Sequence, residues 1–189
     1  MDVCIVPGPG NAQELVDSLT RMRGARVYVA GRPADLERAD LLVTPRGPSR
    51  SFSKWYEGDD LGQAVRAVHQ KGTPWIALCG SALPLSSEHG AGCSGVARFS
   101  IAAMRGSNDR LFGQDKVKTS EGRELPFHFT SAPSFEAREG TEVLGTIGGE
   151  GAILRAEDLV VSAGLPLSPE AWLFLFEAAG LPLAGAKSG

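Results

Sequence analysis

The stretch Trp75-Ile76-Ala77-Leu78-Cys79-Gly80-Ser81-Ala82 decides the fold. It begins with a continuous apolar run, which is typical of a strand buried on both faces of a parallel sheet. The residues from Gly80 to Ser87 are then predicted to turn directly into a helix. A strand that passes at once into a helix indicates an α/β fold, and it places Cys79 at the carboxyl edge of the sheet.

Before this stretch the chain alternates strands with helices, which predicts a parallel sheet with right-handed crossovers. Asn11 is predicted to cap the first helix, which carries apolar residues through Met22. A helix with Leu61, Val65 and Val68 precedes the Trp75 strand. The other predicted strands of this half span residues 3–6, 26–30 and 40–44, and residues 33–38 form a loop or short helix between the last two.

After Cys79 the pattern changes to short strand-like segments separated by Gly, Asn, Asp and Glu, which indicates an antiparallel extension of the sheet. These segments span residues 96–104, 116–118, 126–130, 143–147, 151–155 and 159–162. An apolar helix over 169–179 closes the pattern. We expect one domain over residues 1–183 and a flexible tail over 184–189.

Composition excludes several classes of protein. The chain has 189 residues, a net charge of −3 and 42% apolar residues, which suits one soluble domain with a real core. It carries no membrane-length apolar run and no signal peptide pattern, so a cytoplasmic protein is expected. No block of basic residues points to a nucleic-acid or lipid partner. The three cysteines lack CxxC spacing, so neither a disulfide framework nor a metal site is expected, and no cofactor is indicated.

Cys79 is the residue with the most chemical interest, because a strand-to-helix turn is the layout of a nucleophile elbow. A helix N-terminus at this turn would lower the pKa of the thiol and favour the thiolate. Burial as a small core residue is an equally supported interpretation. Cys4, within the first strand, is expected in the core, and Cys93 is expected in a loop.

Four segments, in order, resemble landmarks of the class I glutamine amidotransferases, and in particular the glutaminase subunit of pyridoxal 5′-phosphate synthase (the PdxT or SNO family). Residues 42–50 stand where that family has a strand ending in Pro-Gly-Gly-Glu-Ser-Thr. Residues 78–82 stand for its Thr-Cys-Ala-Gly, and residues 129–133 for its Phe-Ile-Arg-Ala-Pro. Residues 172–180 match its last helix. The resemblance covers nearly the whole chain and implies a flavodoxin-like mixed sheet flanked by helices.

The resemblance also implies a catalytic machinery that this sequence lacks. Glutaminases of the family pair the cysteine with a His-Pro-Glu motif, and Leu165-Pro166-Leu167 stands in its place. The family glutamate after Pro-Gly-Gly is Pro48, and the substrate-contacting arginine is Ser131. Loss of one triad member costs on the order of 10⁴ in rate. Glutamine hydrolysis by the family mechanism is therefore not expected.

None of the three histidines is predicted to replace the missing base. Strand alternation places His128 on the face opposite Ser131. His89 falls at or beyond the far end of the helix predicted after Cys79, and His69 belongs to the preceding surface helix. Each is better explained as a solvated or core histidine.

Other residues near Cys79 are candidates for binding a small anionic ligand. Arg46 and Arg50, with Ser49, are predicted in the loop after the third strand, where two guanidinium groups could bind a carboxylate or phosphate. Solvated loop arginines are the alternative. The backbone N–H groups of Gly47 and Gly80 are candidates for an oxyanion hole.

Three functions follow from these observations. The first is a PdxT-like homologue that does not hydrolyse glutamine and binds a synthase subunit or another protein as a scaffold. The second is an enzyme that uses Cys79 for a different covalent or thiol-dependent reaction on a small anionic metabolite. The third is a true amidotransferase whose base comes from a partner chain.

Overall fold

The computed structural model describes residues 1–88, 99–104, 111–132 and 134–181. In this part of the chain the α-helices are α1 (Ala12–Leu19), α2 (Ser49–Gly58), α3 (Asp60–His69) and α4 (Pro169–Ala178). The strands are β1 (Asp2–Ile5), β2 (Arg26–Val29), β3 (Leu41–Thr44), β4 (Trp75–Leu78), β5 (Ser86–Glu88), β6 (Phe99–Met104), β7 (Leu111–Thr119), β8 (Glu124–Ala132), β9 (Ser134–Ala137), β10 (Thr141–Ile147), β11 (Glu150–Ala156), β12 (Leu159–Ser162) and β13 (Leu165–Pro166). Short 3₁₀ segments occur at Pro33–Arg38, Cys79–Ser81 and Leu83–Leu85.

The described strands join one mixed sheet whose two halves differ in direction. The first half is parallel and has the order β2-β1-β3-β4-β12. The second half is antiparallel and continues as β11-β10-β7-β8-β13. β9 also pairs with β11 and attaches β6 and β5 to this half. The predicted parallel sheet with an antiparallel extension is therefore confirmed. β12 connects the two halves, because it pairs parallel with β4 and antiparallel with β11.

The hydrophobic core extends over both halves of the sheet. β3, β4 and β12 are buried at every residue, as expected of strands covered on both faces. Leu15 and Leu19 of α1 and Trp172 of α4 belong to the same core. Asn11 caps α1 by accepting a hydrogen bond from the backbone N–H of Gln13 at 3.1 Å, as the sequence predicts.

The helix predicted after Cys79 is absent from the described residues that follow it, so that prediction is wrong. The chain instead makes two 3₁₀ turns, Cys79–Ser81 and Leu83–Leu85, and then enters β5. Pro84 accounts for the difference, because it lacks an N–H group and its ring clashes with the preceding helical turn. The residue therefore stops an α-helix that would begin at Gly80.

Helix α2 is the α-helix that the sequence did not predict, and the short strands β5, β9 and β13 were also not predicted. Ser49 and Arg50 begin this helix and do not lie in a loop, contrary to the prediction. Its sequence is poor in strong helix formers. Burial of Phe52 and Tyr56, both fully buried, supplies the stabilisation that local propensity lacks.

Several predictions concern residues that are not described. His89, Cys93, the start of the strand predicted at 96–98 and the tail at 184–189 lie outside the described residues. In the part that is described, no helix has the length and apolar character needed to cross a lipid bilayer.

Candidate functional site

A cavity of about 510 Å³ lies at the carboxyl ends of β1, β3 and β4. The loops that follow these three strands meet there, and Leu83 and Thr130 complete the wall. This is the edge where open α/β sheets bind ligands, and the volume suits a small metabolite. The wall consists of Pro9, Gly10, Asn11, Arg46, Gly47, Pro48, Ser49, Cys79, Gly80, Leu83 and Thr130.

Three glycines allow the loops of the cavity to touch. A Cβ atom on Gly80 would overlap the backbone carbonyl oxygen of Gly47. A Cβ atom on Gly10 would lie 2.5 Å from the carbonyl oxygen of Arg46, and one on Gly47 would lie 3.0 Å from the Cα atom of Gly10. Because these obstacles are backbone atoms, no side chain can rotate away to make room. The close approach therefore requires glycine.

Cys79 occupies a strained backbone position directly after β4. Its φ angle is +52°, a conformation that costs a non-glycine residue about 1–3 kcal/mol. The buried hydroxyl of Ser81 secures the turn: it accepts a hydrogen bond from the N–H of Leu78 at 3.0 Å and donates to the carbonyl of Leu78 at 2.8 Å. The Ser81 hydroxyl also lies 3.1 Å from Thr44 Oγ1, which accepts from Trp75 Nε1. This network fixes the strained turn against β3 and β4.

The environment of the Cys79 thiol opposes its ionisation. The residue is 3% exposed, and desolvation by burial raises the pKa of the thiol to about 12. The charge of Arg46 acts to lower this pKa and that of Glu14 acts to raise it, but burial outweighs both. The sequence predicts a lowered pKa, and that prediction is wrong because no α-helix starts at Cys79 and the thiol is desolvated.

Arg46 provides the positive charge of the described cavity wall. Its Nε atom lies 2.7 Å from Oε2 of Glu14, a residue in the first turn of α1. The two side chains are 29% and 30% exposed. The guanidinium at the cavity is thus already paired with a carboxylate of the protein.

Most of the residues that the sequence assigns to the site are brought together. Arg50 is an exception, because it is an exposed residue of the first turn of α2 and is not part of the cavity wall. Ser131 lies in β8, and its side chain is outside the described residues, whereas its neighbour Thr130 lines the cavity. The assigned residues that do line it are Arg46, Gly47, Ser49, Cys79 and Gly80.

The positions that the family resemblance links to the catalytic base carry no proton acceptor. Leu165 is 2% exposed in β13, and Leu167 is 42% exposed just beyond it. Neither residue lines the cavity. Among the described residues, the cavity wall contains no histidine, aspartate or glutamate.

His69 has a structural role. It is 7% exposed, and its Nδ1 atom lies 2.9 Å from the carbonyl oxygen of Thr73. Its ring packs edge-on against Trp75, with 5.6 Å between the ring centroids. His69 therefore joins α3 to the start of β4.

His128 follows the alternation predicted for its strand. It is half-buried between the buried residues Phe127 and Phe129 of β8, so its side chain lies on the other face of the strand. It pairs in register with Leu165 of β13 and is not part of the cavity wall. It shares its face of β8 with Thr130, which does line the cavity.

Sequence reasoning missed the contribution of the first loop and of α1. Gly10 and Asn11 line the cavity, and Glu14 pairs with Arg46. A usable signal exists, because Pro7-Gly8-Pro9-Gly10 follows a strand of a predicted parallel sheet, and the carboxyl ends of such strands share one edge. The pairing of Glu14 with Arg46 has no such signal.

No metal site is present among the described residues, where no group of three or more His, Cys, Asp and Glu side chains is close enough to hold an ion. Cys4 and Cys79, the described cysteines, are both free thiols.

The chain shares its fold with solved glutamine amidotransferases. A solved structure described as a glutamine amidotransferase has a TM-score of 0.81 and 20% identity, covering 95% of this chain and 99% of its own. PurLQS from Thermotoga maritima has a TM-score of 0.66 and 11% identity, covering 94% and 96% of the two chains. These structures share the fold with this chain.

In sequence the chain resembles the PdxT subunit of pyridoxal 5′-phosphate synthase. PdxT from Thermoplasma acidophilum is 24% identical over 177 residues, which are 90% of this chain and 86% of PdxT. No protein-family model matches the chain.

Proposed function

We propose that this chain is a PdxT-like homologue that does not hydrolyse glutamine and acts as a binding or scaffolding partner of a synthase. The observation that carries the proposal is the composition of the cavity wall, whose described residues include no group that can accept a proton from Cys79. Burial raises the pKa of this thiol to about 12, so it is protonated near neutral pH. A thiol without a base is a weak nucleophile.

The residues at the family positions support the same conclusion. Leu165 and Leu167 have hydrocarbon side chains that can neither take a proton nor orient a base. Pro48 and Ser131 remove the two substrate contacts that the resemblance implies. Loss of a base alone costs on the order of 10⁴ in rate, and loss of substrate positioning costs more.

The proposed partner follows from the relatives. PdxT is named as a subunit of pyridoxal 5′-phosphate synthase, and this chain matches most of its length. A homologue that keeps the fold and loses the chemistry can still bind a synthase subunit, because docking depends on surface shape and not on the base. We therefore expect binding without ammonia production.

The test measures ammonia released from glutamine by the purified protein, alone and with a pyridoxal 5′-phosphate synthase subunit from the same organism. Wild type and Cys79→Ala are compared, and an active glutaminase is assayed in parallel. We expect equal background release from both variants in both settings. Size-exclusion chromatography of the mixture should show a complex that Cys79→Ala does not disturb.

Two outcomes contradict the proposal. Cys79-dependent ammonia release by the chain alone would make it a glutaminase. Release only in the complex would indicate that the partner supplies the base.

A second function is favoured by Arg46, which places a cation in the wall that also holds Cys79. In this function Cys79 reacts covalently with a small anionic metabolite. The test is the rate at which a thiol-directed electrophile labels Cys79 at pH 7. Labelling faster than that of a free thiol supports this second function, and slower labelling leaves the scaffold as the better explanation.

A further inference from the structure

We propose that Glu14 is a positioning residue that holds the guanidinium of Arg46 at the cavity, where Arg46 binds the carboxylate of a small ligand beside Cys79. The inference rests on the proposed use of this cavity for a small anionic compound. It specifies a carboxylate as the ligand group and adds Glu14, which lies in a different element from the rest of the site.

The first argument is the direction of the contact between the two side chains. Glu14 Oε2 lies 2.7 Å from Nε of Arg46, which is the nitrogen nearest the arginine stem. The two terminal nitrogens of a guanidinium carry four further N–H groups in a planar fork that matches a carboxylate. Among the described residues, Glu14 is the ion-pair partner of Arg46. Because Glu14 contacts Nε, the two terminal nitrogens of the Arg46 guanidinium remain available to bind a ligand carboxylate.

The second argument is that both partners are attached to rigid backbone. Glu14 lies in the first turn of α1, which Leu15 and Leu19 anchor in the core. The backbone N–H of Asn11, the cap of α1, donates to the carbonyl oxygen of Arg46 at 3.3 Å. The close approach of Gly10 to the same carbonyl adds a steric link. The start of α1 and the loop after β3 are thus joined by backbone contacts, so a contact between their side chains fixes the guanidinium.

The third argument is electrostatic and makes the proposal testable. If Glu14 were only a counter-charge, its carboxylate would weaken the binding of an anion, and its removal would strengthen that binding. If Glu14 positions Arg46, its removal releases a long and flexible side chain, and anion binding weakens. The two roles therefore predict opposite changes in anion binding when Glu14 is replaced by alanine.

The experiment compares iodoacetate with iodoacetamide as probes of Cys79. In both reactions the thiolate sulfur attacks the CH₂ carbon, the C–S bond forms, and iodide leaves with the C–I electron pair. The thiol proton goes to the solvent. The probes differ in carrying a carboxylate or a neutral amide. The rate ratio, iodoacetate over iodoacetamide, is measured at pH 9 by mass spectrometry of the Cys79 peptide and divided by the same ratio for glutathione.

We expect a normalised ratio of roughly 10 for the wild type, since a hydrogen-bonded contact to a charged group contributes about 1.5 kcal/mol. Arg46→Gln should lower the ratio to about 1. Glu14→Ala should lower it at least threefold, although it removes a negative charge. Glu14→Gln should restore the ratio, because a glutamine side chain has nearly the same shape and keeps an oxygen beside Nε of Arg46.

A control variant and a stability measurement separate positioning from general effects. Glu124→Ala removes an equal charge from an exposed pair with Lys116 in the antiparallel half, and it should leave the ratio unchanged. Urea denaturation of each variant checks that the fold is intact.

A rise of the ratio in Glu14→Ala would overturn the positioning role. An unchanged ratio in Arg46→Gln would overturn the carboxylate site itself. Neither result depends on ammonia release, on complex formation or on the absolute rate of Cys79 labelling. A failure here is therefore distinguishable from a failure of the scaffold function and of the covalent function.

Discussion

The turn at Cys79 and the strand at Leu165 are stabilised in opposite ways. The turn is held by polar contacts of Ser81 and by backbone atoms in close contact at Gly47 and Gly80. β13, which carries Leu165, is buried through apolar side chains. In the family that the chain resembles, these two regions supply the nucleophile and the base.

This difference shows that the turn at Cys79 and the strand at Leu165 are stabilised by independent sets of contacts. The geometry at Cys79 is built into the packing of three loops, so a substitution at Gly47 or Gly80 disturbs the fold whether or not the thiol reacts. Leu165 instead fills space in the hydrophobic core, and any apolar residue of suitable volume could do so. The strained turn at Cys79 therefore does not depend on which apolar residue occupies position 165.

The largest effect is expected for Gly80→Ala. The new methyl group would overlap the carbonyl oxygen of Gly47, and one of the two loops would have to move. We expect a loss of about 4 kcal/mol or more in the free energy of unfolding, measured by urea denaturation. Gly58→Ala is the matched control, because a Cβ atom there meets nothing within 4 Å, and it should be neutral or slightly stabilising. A tolerated Gly80→Ala would show that the loops are not held by backbone contact.

The next effect is expected at β13. Leu165→Ala should lower the free energy of unfolding by about 3 kcal/mol, because it leaves a cavity at a side chain that is 2% exposed. Leu167→Ala should change it by less than about 0.5 kcal/mol, since Leu167 is 42% exposed. Equal effects of the two substitutions in thermal or urea melts would contradict the assignment of Leu165 to the core.

A smaller effect is expected for Ser81→Ala. This variant removes the oxygen that accepts the N–H of Leu78 and leaves that buried group without its acceptor. The expected loss is about 1–2 kcal/mol by urea denaturation. Ser120→Ala, in an exposed turn, is the control and should lie within about 0.5 kcal/mol of the wild type. If both variants match the wild type, the strained φ of Cys79 is held by other contacts.

The smallest effect is expected for the pH dependence of Cys79 alkylation, measured as the change in rate over one pH unit. Burial disfavours the thiolate, so its fraction at pH 7 is small and grows as the pH rises toward about 12. The rate of Cys79 alkylation by iodoacetamide should therefore increase about tenfold per pH unit from pH 7 to 10, without a plateau. His128→Gln should leave this slope unchanged. A plateau near neutral pH would reveal a base that serves Cys79.

Much of the fold could be predicted because its signals are local. The apolar runs at β3 and β4 indicate strands covered on both faces, and they are buried at every residue. Asn11 caps α1 because a side-chain oxygen next to free N–H groups is favourable in nearly any context. The elements that sequence reasoning missed, such as α2, depend on burial of Phe52 and Tyr56 by distant parts of the chain.

The site was predictable in part for the same reason. Cys79, Gly47 and Gly80 follow strands whose ends share an edge, so the chain order places them together. Arg50 did not join them, because the helix that carries it could not be predicted. Glu14 joined them through a side-chain contact with Arg46 that no spacing rule encodes.

The sequence by itself determined the alternation of strands and helices before Cys79 and the antiparallel extension after it. It also determined the position of Cys79 at the end of β4 and the leucines that stand at the family positions of the base. These are properties of residue types and of their spacing. Only the tertiary structure decided that Cys79 is buried with a raised pKa, that Gly80 contacts Gly47, and that Glu14 holds Arg46. Desolvation and close packing depend on which atoms surround a group, and those atoms come from loops far apart in the chain.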